Sequence, residues 1–412
     1  MEHRAGNGLL DRRLFLRGAL AAAGVTMTTV ATGRESRPAW SAAPGHPLSK
    51  YGQPSRYESH VGREGISSQL GTMGSGASRT PLQHLKGTLT PASLHFERHH
   101  SGIPEIDPEL HELHVHGLVK KPLKFSMADL QRYPMTSRTY FLECSGNSAA
   151  NLAATAPDVT CGQLHGLVSG SEWTGVRVGD LLDEAGIEDR AQWVVAEGAD
   201  AARMNRSIPM DKMLDDALLA LYQNGERLRP EQGYPVRLFL PGYEGNASVK
   251  WLRSLQVSAI PAMSRQETSK YTDLRPDGRS EVFTFDMDVK SVITSPSPGL
   301  DLKGHGYYEI SGLAWTGRGA VQGVDVSADG GKSWAPAQLE GPVLEKALTR
   351  FRIPWHWQGA PATLMSRAYD GYGVQPGRDE HLRRSGETSI YHYNAIQAWQ
   401  VDSRGASSNV FA

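Results

Sequence analysis

The chain has 412 residues, and its 43 Lys and Arg nearly cancel 44 Asp and Glu, leaving a net charge of -1. With 39% hydrophobic and 21% charged residues it has ordinary globular composition, which excludes a largely disordered chain, and it has no polybasic field to hold nucleic acid or an anionic membrane. Two cysteines, Cys144 and Cys161, exclude a disulfide scaffold and a four-thiolate zinc site.

The N-terminus reads Asp11-Arg12-Arg13-Leu14-Phe15-Leu16-Arg17-Gly18 and runs into a weakly apolar stretch from Ala19 to about Ala31. That stretch is too short to span a hydrocarbon core of ~30 Å. Paired arginines ahead of a modest apolar run resemble a twin-arginine export signal. Residues 1–43 are therefore expected to be a signal cleaved near Ser41-Ala42-Ala43, with the product exported folded to the periplasm and carrying no membrane anchor. Residues 44–85, rich in Gly, Ser, Pro and Arg, are predicted to form an exposed arm or linker.

A mixed region spans 86–276. Leu113 to Val119 alternates like a strand, Ser126 to Leu130 reads as a short capped helix, and Val178 to Gly186 as a helix ending at glycine. Pro235 to Gly242 reads as a buried strand bounded by turn formers. From 277 to 412 the pattern changes to short strands at Val282–Val289, Tyr307–Ala314, Gly323–Ala328, Thr349–Trp357, Ala362–Ala368 and Ile396–Val401, with turns such as Asp329-Gly330-Gly331 between them. That spacing predicts an immunoglobulin-like β-sandwich. The fold class is α+β.

The most informative run is Tyr140-Phe141-Leu142-Glu143-Cys144-Ser145-Gly146-Asn147-Ser148-Ala149, an apolar strand that delivers a cysteine into a Ser-Gly-Asn turn. Alone it admits a buried structural thiol, a nucleophile served by a histidine base, or a metal thiolate. Upstream stands Phe96-Glu97-Arg98-His99-His100. Downstream stand Trp173-Thr174-Gly175-Val176, Glu197-Gly198-Ala199-Asp200, Gln232-Gly233-Tyr234-Pro235-Val236-Arg237 and Ser248-Val249-Lys250-Trp251-Leu252. Later come Ser327-Ala328-Asp329-Gly330-Gly331-Lys332-Ser333-Trp334 and Asp370-Gly371-Tyr372-Gly373-Val374-Gln375-Pro376. In this order the segments resemble the sulfite oxidase family of molybdenum enzymes, from about Thr88 to the C-terminus.

The resemblance implies a molybdopterin domain followed by a sandwich domain through which the chain homodimerises, with Trp355-His356-Trp357 as a possible dimer patch or a piece of core. It implies Mo-molybdopterin as cofactor, with the metal held by Cys144 and the pterin dithiolene. Phe96, Arg98, His100, Asp200, Gln232, Arg237, Ser248 and Lys250 match the family's cofactor contacts, with Gln232 standing where histidine is usual. Arg98, Tyr271 and Trp173 match its substrate-side residues. Arginines that the family's sulfite-oxidising members carry after the cysteine turn and in the last strand are replaced here by Ser148, Ala149 and the run Asn394 to Trp399. A wider, less positive pocket is expected, as in the SoxC type, the molybdenum subunit of sulfane dehydrogenase. The implied reaction is oxygen-atom transfer to a sulfane sulfur held by a carrier protein. The two cysteines cannot form a haem-attaching Cys-x-x-Cys-His, so electrons would pass to a separate c-type cytochrome, a dihaem subunit of a heterotetramer. A dehydrogenase of free sulfite, a cysteine hydrolase using Cys144 and a secreted immunoglobulin-like binding protein are the competing readings.

Overall fold

A computed structural model of the chain describes residues 4–10, 44, 47–68, 72–385 and 389–411. The arginine pair and apolar run of the expected signal lie outside these residues. No helix among those described is long and apolar enough to cross a membrane.

The first half is built on two five-stranded sheets. One orders Glu226–Arg227, Leu218–Gln223, Val168–Arg177 and Met135–Glu143, with Arg237–Phe239 also pairing to Leu218–Gln223. The other orders Leu123–Ser126, Glu112–Gly117, Leu252–Ser258, Trp193–Gly198 and Asn205–Pro209, and contains one parallel pair. Helix Val178–Ala185 buries Leu181, Leu182 and Ala185 with Leu113, Val115, Val194 and Leu255 of the second sheet. It stops at Gly186, whose φ of 71° is open to glycine at little cost. The short helix Met127–Leu130 starts as expected, on a reciprocal Ser126–Asp129 capping box.

Part of the predicted arm belongs to this body. Glu64–Ser68 and Gly76–Arg79 pair in an antiparallel three-stranded sheet with Glu97–His99. Strands this short leave little alternation to read, and their Gly and Ser content disguised them.

The second half is a sandwich of a four-stranded sheet (Lys290–Ser295, Gly306–Trp315, Thr349–Trp357, Gln338–Leu339) and a five-stranded sheet (Ala335–Pro336, Gly323–Ser327, Ala362–Tyr369, Ala398–Val401, Ser407–Val410). Trp315, Trp355, Trp399, Phe351 and Ile353 fill the space between them, joined by Leu9 from the N-terminus. Trp355 and Trp357 are therefore core residues, 0% and 2% exposed, and offer no surface for a dimer. The strand expected at Val282–Val289 is absent. Phe283 stacks against Trp193 and Phe285, and Phe285 against Tyr243, so these aromatics fasten the connection to the first half. The first strand of the sandwich starts at Lys290.

The halves meet through buried charge. Glu143, at the end of its strand, accepts hydrogen bonds from Lys290 Nζ (3.0 Å), Asn147 Nδ2 (2.9 Å) and Trp315 Nε1 (2.6 Å). Lys290 also donates to Ser148 Oγ (2.9 Å), Ser148 bonds His165 Nδ1 (2.7 Å), and His165 Nε2 reaches Gln397 Oε1 (3.0 Å). Glu143 and Lys290 are each almost wholly removed from water, so each needs the other to offset its desolvation. A second junction holds His392, which contacts Thr284 Oγ1 (2.7 Å), Glu244 (3.4 Å) and Asp273 (3.6 Å), while its backbone N–H donates to Ser145 O (2.8 Å).

Lys290→Met is expected to strand the Glu143 carboxylate and cost about 3–5 kcal/mol, read as a fall in Tm, with Glu143→Gln in the same chain recovering most of the loss. A Tm change no larger than that of a surface substitution would contradict the assignment. The His392 junction predicts a pH dependence. Burial pulls the imidazole pKa down, but the Glu244 and Asp273 carboxylates outweigh it and hold the pKa above 6.5. The stabilisation is thus complete below the unfolded value and lost as pH rises through the folded value. Unfolding free energy measured against pH should fall from about pH 6.5 upward, and His392→Gln should flatten that slope.

Candidate active site

Strand Met135–Glu143 ends by presenting Cys144 on a closed turn. Cys144 N–H donates to Leu167 O, Asn147 N–H returns to Cys144 O (both 2.9 Å), and Asn147 Oδ1 takes Leu167 N–H (3.1 Å). Segment 243–247 presses against this turn so closely that a Cβ on Gly245 would lie 2.7 Å from Glu143 O. Burial raises the Cys144 thiol pKa, opposed by the Gly146 N–H and the Arg98 charge. Binding to a metal would release the proton.

Two cavities meet at Cys144, Arg98, His100 and Tyr271. The first is a narrow one that also takes Phe96, Asp200, Gln232, Arg237, Ser248 and Lys250 into its wall. Arg237 is fully buried; its guanidinium donates to Gln232 O (3.1 Å) and Ser248 O (3.0 Å), and burial drives its pKa down to about 9. Gln232 donates to Phe96 O (2.9 Å), and Ser248 Oγ accepts from Leu240 N–H (3.0 Å). Lys250 Nζ is held by Arg98 O, His99 Nδ1 and Glu231 O. Burial pushes its pKa down and Arg237 adds to that, while Asp200 and Glu231 oppose. Gly233, at φ 109°, lets the chain pass between Arg237 and Lys250, where a Cβ would sit 3.1 Å from each.

Around this cavity Asp200 Oδ1, Arg237 Nε and Asn246 Oδ1 are buried without a hydrogen-bond partner among the described residues. Unsatisfied donors and acceptors together with two buried cations suit a polar, anionic ligand. A phosphate-bearing pterin meets that description, with Cys144 at the mouth as a soft ligand for its metal.

The second cavity, about 620 Å³, opens from Cys144 outward past Arg79, Arg98, Ala149, Leu167, Arg265, Lys270, Tyr271 and Tyr391. His100 Nε2 and Tyr271 OH share a hydrogen bond of 2.9 Å. Burial lowers the His100 pKa to about 4 and raises that of Tyr271, so imidazole and phenol are both neutral near pH 7.

Two expectations change here. Trp173 lines neither cavity. It is buried behind Arg237, whose guanidinium lies 5.2 Å from its ring, and it stacks on Phe239. The mouth is also not neutral: Arg79, Arg265 and Lys270 join Arg98 in its wall. Of the positions read as widening it, only Ala149 faces the opening; Ser148 is engaged with Lys290 and His165 beneath the turn, and no residue of the run Asn394 to Trp399 lines it. Sequence reasoning missed Arg79, Arg265, Lys270, Tyr391 and Asn246. Arg79 lay in the segment read as an arm, and Arg265, Lys270, Tyr391 and Asn246 reach the cavity walls through contacts distant in sequence.

The profile of the oxidoreductase molybdopterin binding domain matches residues 100–266, and that of the Mo-co oxidoreductase dimerisation domain matches residues 281–398. Chicken sulfite oxidase is 33% identical over 314 residues, 70% of this chain and 68% of that protein. Mouse mitochondrial sulfite oxidase is 32% identical over 71% of this chain, which spans 58% of the mouse enzyme's length. The crystal structure of the sulfane dehydrogenase SoxCD from Paracoccus pantotrophus superposes with a TM-score of 0.88 at 45% identity, covering 90% of this chain and 97% of that one. With Cys144 where a narrow cation-lined cavity meets a wide open one, and with both domains of the family matched in order, the chain belongs to the sulfite oxidase family of molybdopterin oxidoreductases and is SoxC-like within it.

Proposed function

We propose that the chain is the molybdenum subunit of a periplasmic sulfane dehydrogenase, oxidising sulfane sulfur on a carrier protein within thiosulfate oxidation and passing electrons to a c-type cytochrome subunit, dihaem in a heterotetramer with a homodimeric core. The observation that carries the substrate reading is the mouth: about 620 Å³, open outward and walled at Ala149 by a methyl group. The likeness to SoxCD and the Arg12-Arg13 signal support the setting.

Cys144 would hold the metal, and Arg237, Lys250, Asp200, Gln232, Ser248, His100 and backbone near Phe96 and Arg98 would hold the pterin and its phosphate. When bound, the cofactor supplies oxygen-atom and two-electron chemistry. The protein's share is positioning and charge. Arg98, in both cavities, faces the place where the reacting sulfur must arrive and would stabilise negative charge developing there. With His100 Nε2–H donating to the phenol oxygen, Tyr271 keeps its own O–H to donate to an oxygen at that place. Arg79, Arg265 and Lys270 attract an anionic terminus, and a persulfide end is anionic as sulfite is. Charge therefore does not separate carrier-bound sulfane from free sulfite, whereas width does: a small dianion needs no opening of this size.

Steady-state kinetics with cytochrome c as acceptor tests the choice. The sulfur-loaded carrier is expected to exceed free sulfite in kcat/KM, and Ala149→Arg should lower the carrier value while sparing or raising the sulfite value. Equal or faster turnover of sulfite in the wild type would favour the sulfite dehydrogenase reading, to which the cationic wall also lends itself. Tyr271→Phe is expected to lower kcat by roughly 10²-fold with KM little changed; an unchanged kcat would remove Tyr271 from the reaction.

A further inference from the structure

We infer that Arg63, Glu97 and His99 form a charge chain that positions Lys250 in the cofactor cavity, which makes the N-terminal arm part of the cofactor-binding machinery. Lys250 Nζ lies 2.8 Å from His99 Nδ1, 3.2 Å from Arg98 O and 3.0 Å from Glu231 O. An ammonium has three protons, and these acceptors take all of them. Lys250 therefore acts on an anion in the cavity as a fixed charge rather than as a swinging donor.

That arrangement requires His99 to present a lone pair at Nδ1. Its other nitrogen, Nε2, lies 2.8 Å from Glu97 Oε2, and a carboxylate accepts only. Glu97 thus pins the proton on Nε2 and frees Nδ1 for Lys250, as carboxylates orient ligating histidines elsewhere. Burial lowers the His99 pKa to about 3, so the ring stays neutral between its two charged neighbours. Arg63 closes the chain. Its guanidinium pairs with Glu97 and donates to Glu231 Oε1 (2.7 Å), and the backbone carbonyl of Glu231 is the third acceptor of Lys250. Across the neutral ring the charges alternate in sign, so each of these part-buried groups is offset by the next.

The consequence is specific. Without a carboxylate at 97, His99 can carry its proton on Nδ1, where it would oppose the Lys250 ammonium and push it from its place. Without Arg63, Glu97 and Glu231 face each other with no cation between them. In both cases the cavity loses a fixed positive charge while the sheet that carries Glu97 keeps its strands.

The test is the rate at which holoenzyme releases its pterin, followed by the fluorescence of the oxidised pterin after dilution, beside the Tm of each apoprotein. Glu97→Gln and Arg63→Ala are expected to speed release by about tenfold or more, the loss typical for residues that orient a ligand. The double variant should be no faster than the quicker single, because both act through Lys250, and Arg63→Lys should restore slow release. Release unchanged in both single variants would overturn the proposal. So would release rates that follow apoprotein Tm across all four variants, or that multiply in the double, since those mark a structural role or independent effects.

Discussion

The ion pair between Glu143 and Lys290 is the constraint on which the site depends. It lies directly beneath Cys144 and joins the two domains of the chain. Glu143 is the last residue of the strand that delivers the cysteine, and Asn147 and Ser148, which complete the turn, are tied into the same network. A buried pair of this kind contributes little net stability over an apolar alternative, but losing one member is costly. Both charges are satisfied in this arrangement of the two domains, in which Cys144 stands at the junction of the cavities. The sandwich domain thus supports the Cys144 turn through Lys290.

Above that base the site divides its electrostatics by depth. Deep charges, Arg237 and Lys250, are held by backbone carbonyls and a neutral histidine, so they remain unneutralised and available to an anionic ligand. Charges in the outer cavity, Arg79, Arg265 and Lys270, stand in the wall of a wide opening and act by attraction. Arg98 belongs to both zones, and Tyr271 with His100 supplies neutral hydrogen bonding where they meet. The deep cations, the outer cations and the neutral His100–Tyr271 pair are thus separate sets of residues that can be substituted independently.

Much of this was legible in the sequence, for identifiable reasons. The sandwich strands announced themselves through alternation and Asp-Gly-Gly punctuation, and the capped and glycine-terminated helices through their end residues. The cofactor side was visible because it sits on motifs whose order matters. What escaped notice was whatever depended on contacts distant in sequence. Trp173 reads the same whether it lines a pocket or supports Arg237 from behind. Phe283 and Phe285 alternate like a strand yet stack on Trp193 and Tyr243. Ser148 looked like a missing arginine at the mouth, but its left-handed backbone (φ 69°) places it in the Lys290 network. Arg63 and Arg79 could not be seen at all while their segment passed for a linker.

The central claim is that Cys144 is the protein's own sulfur ligand to the pterin-held metal. X-ray absorption at the molybdenum edge of the purified enzyme tests it most directly. The sulfur shell of the wild type is expected to shrink by one neighbour in Cys144→Ser, with the pterin sulfurs unchanged. An identical sulfur shell in the two proteins would contradict it.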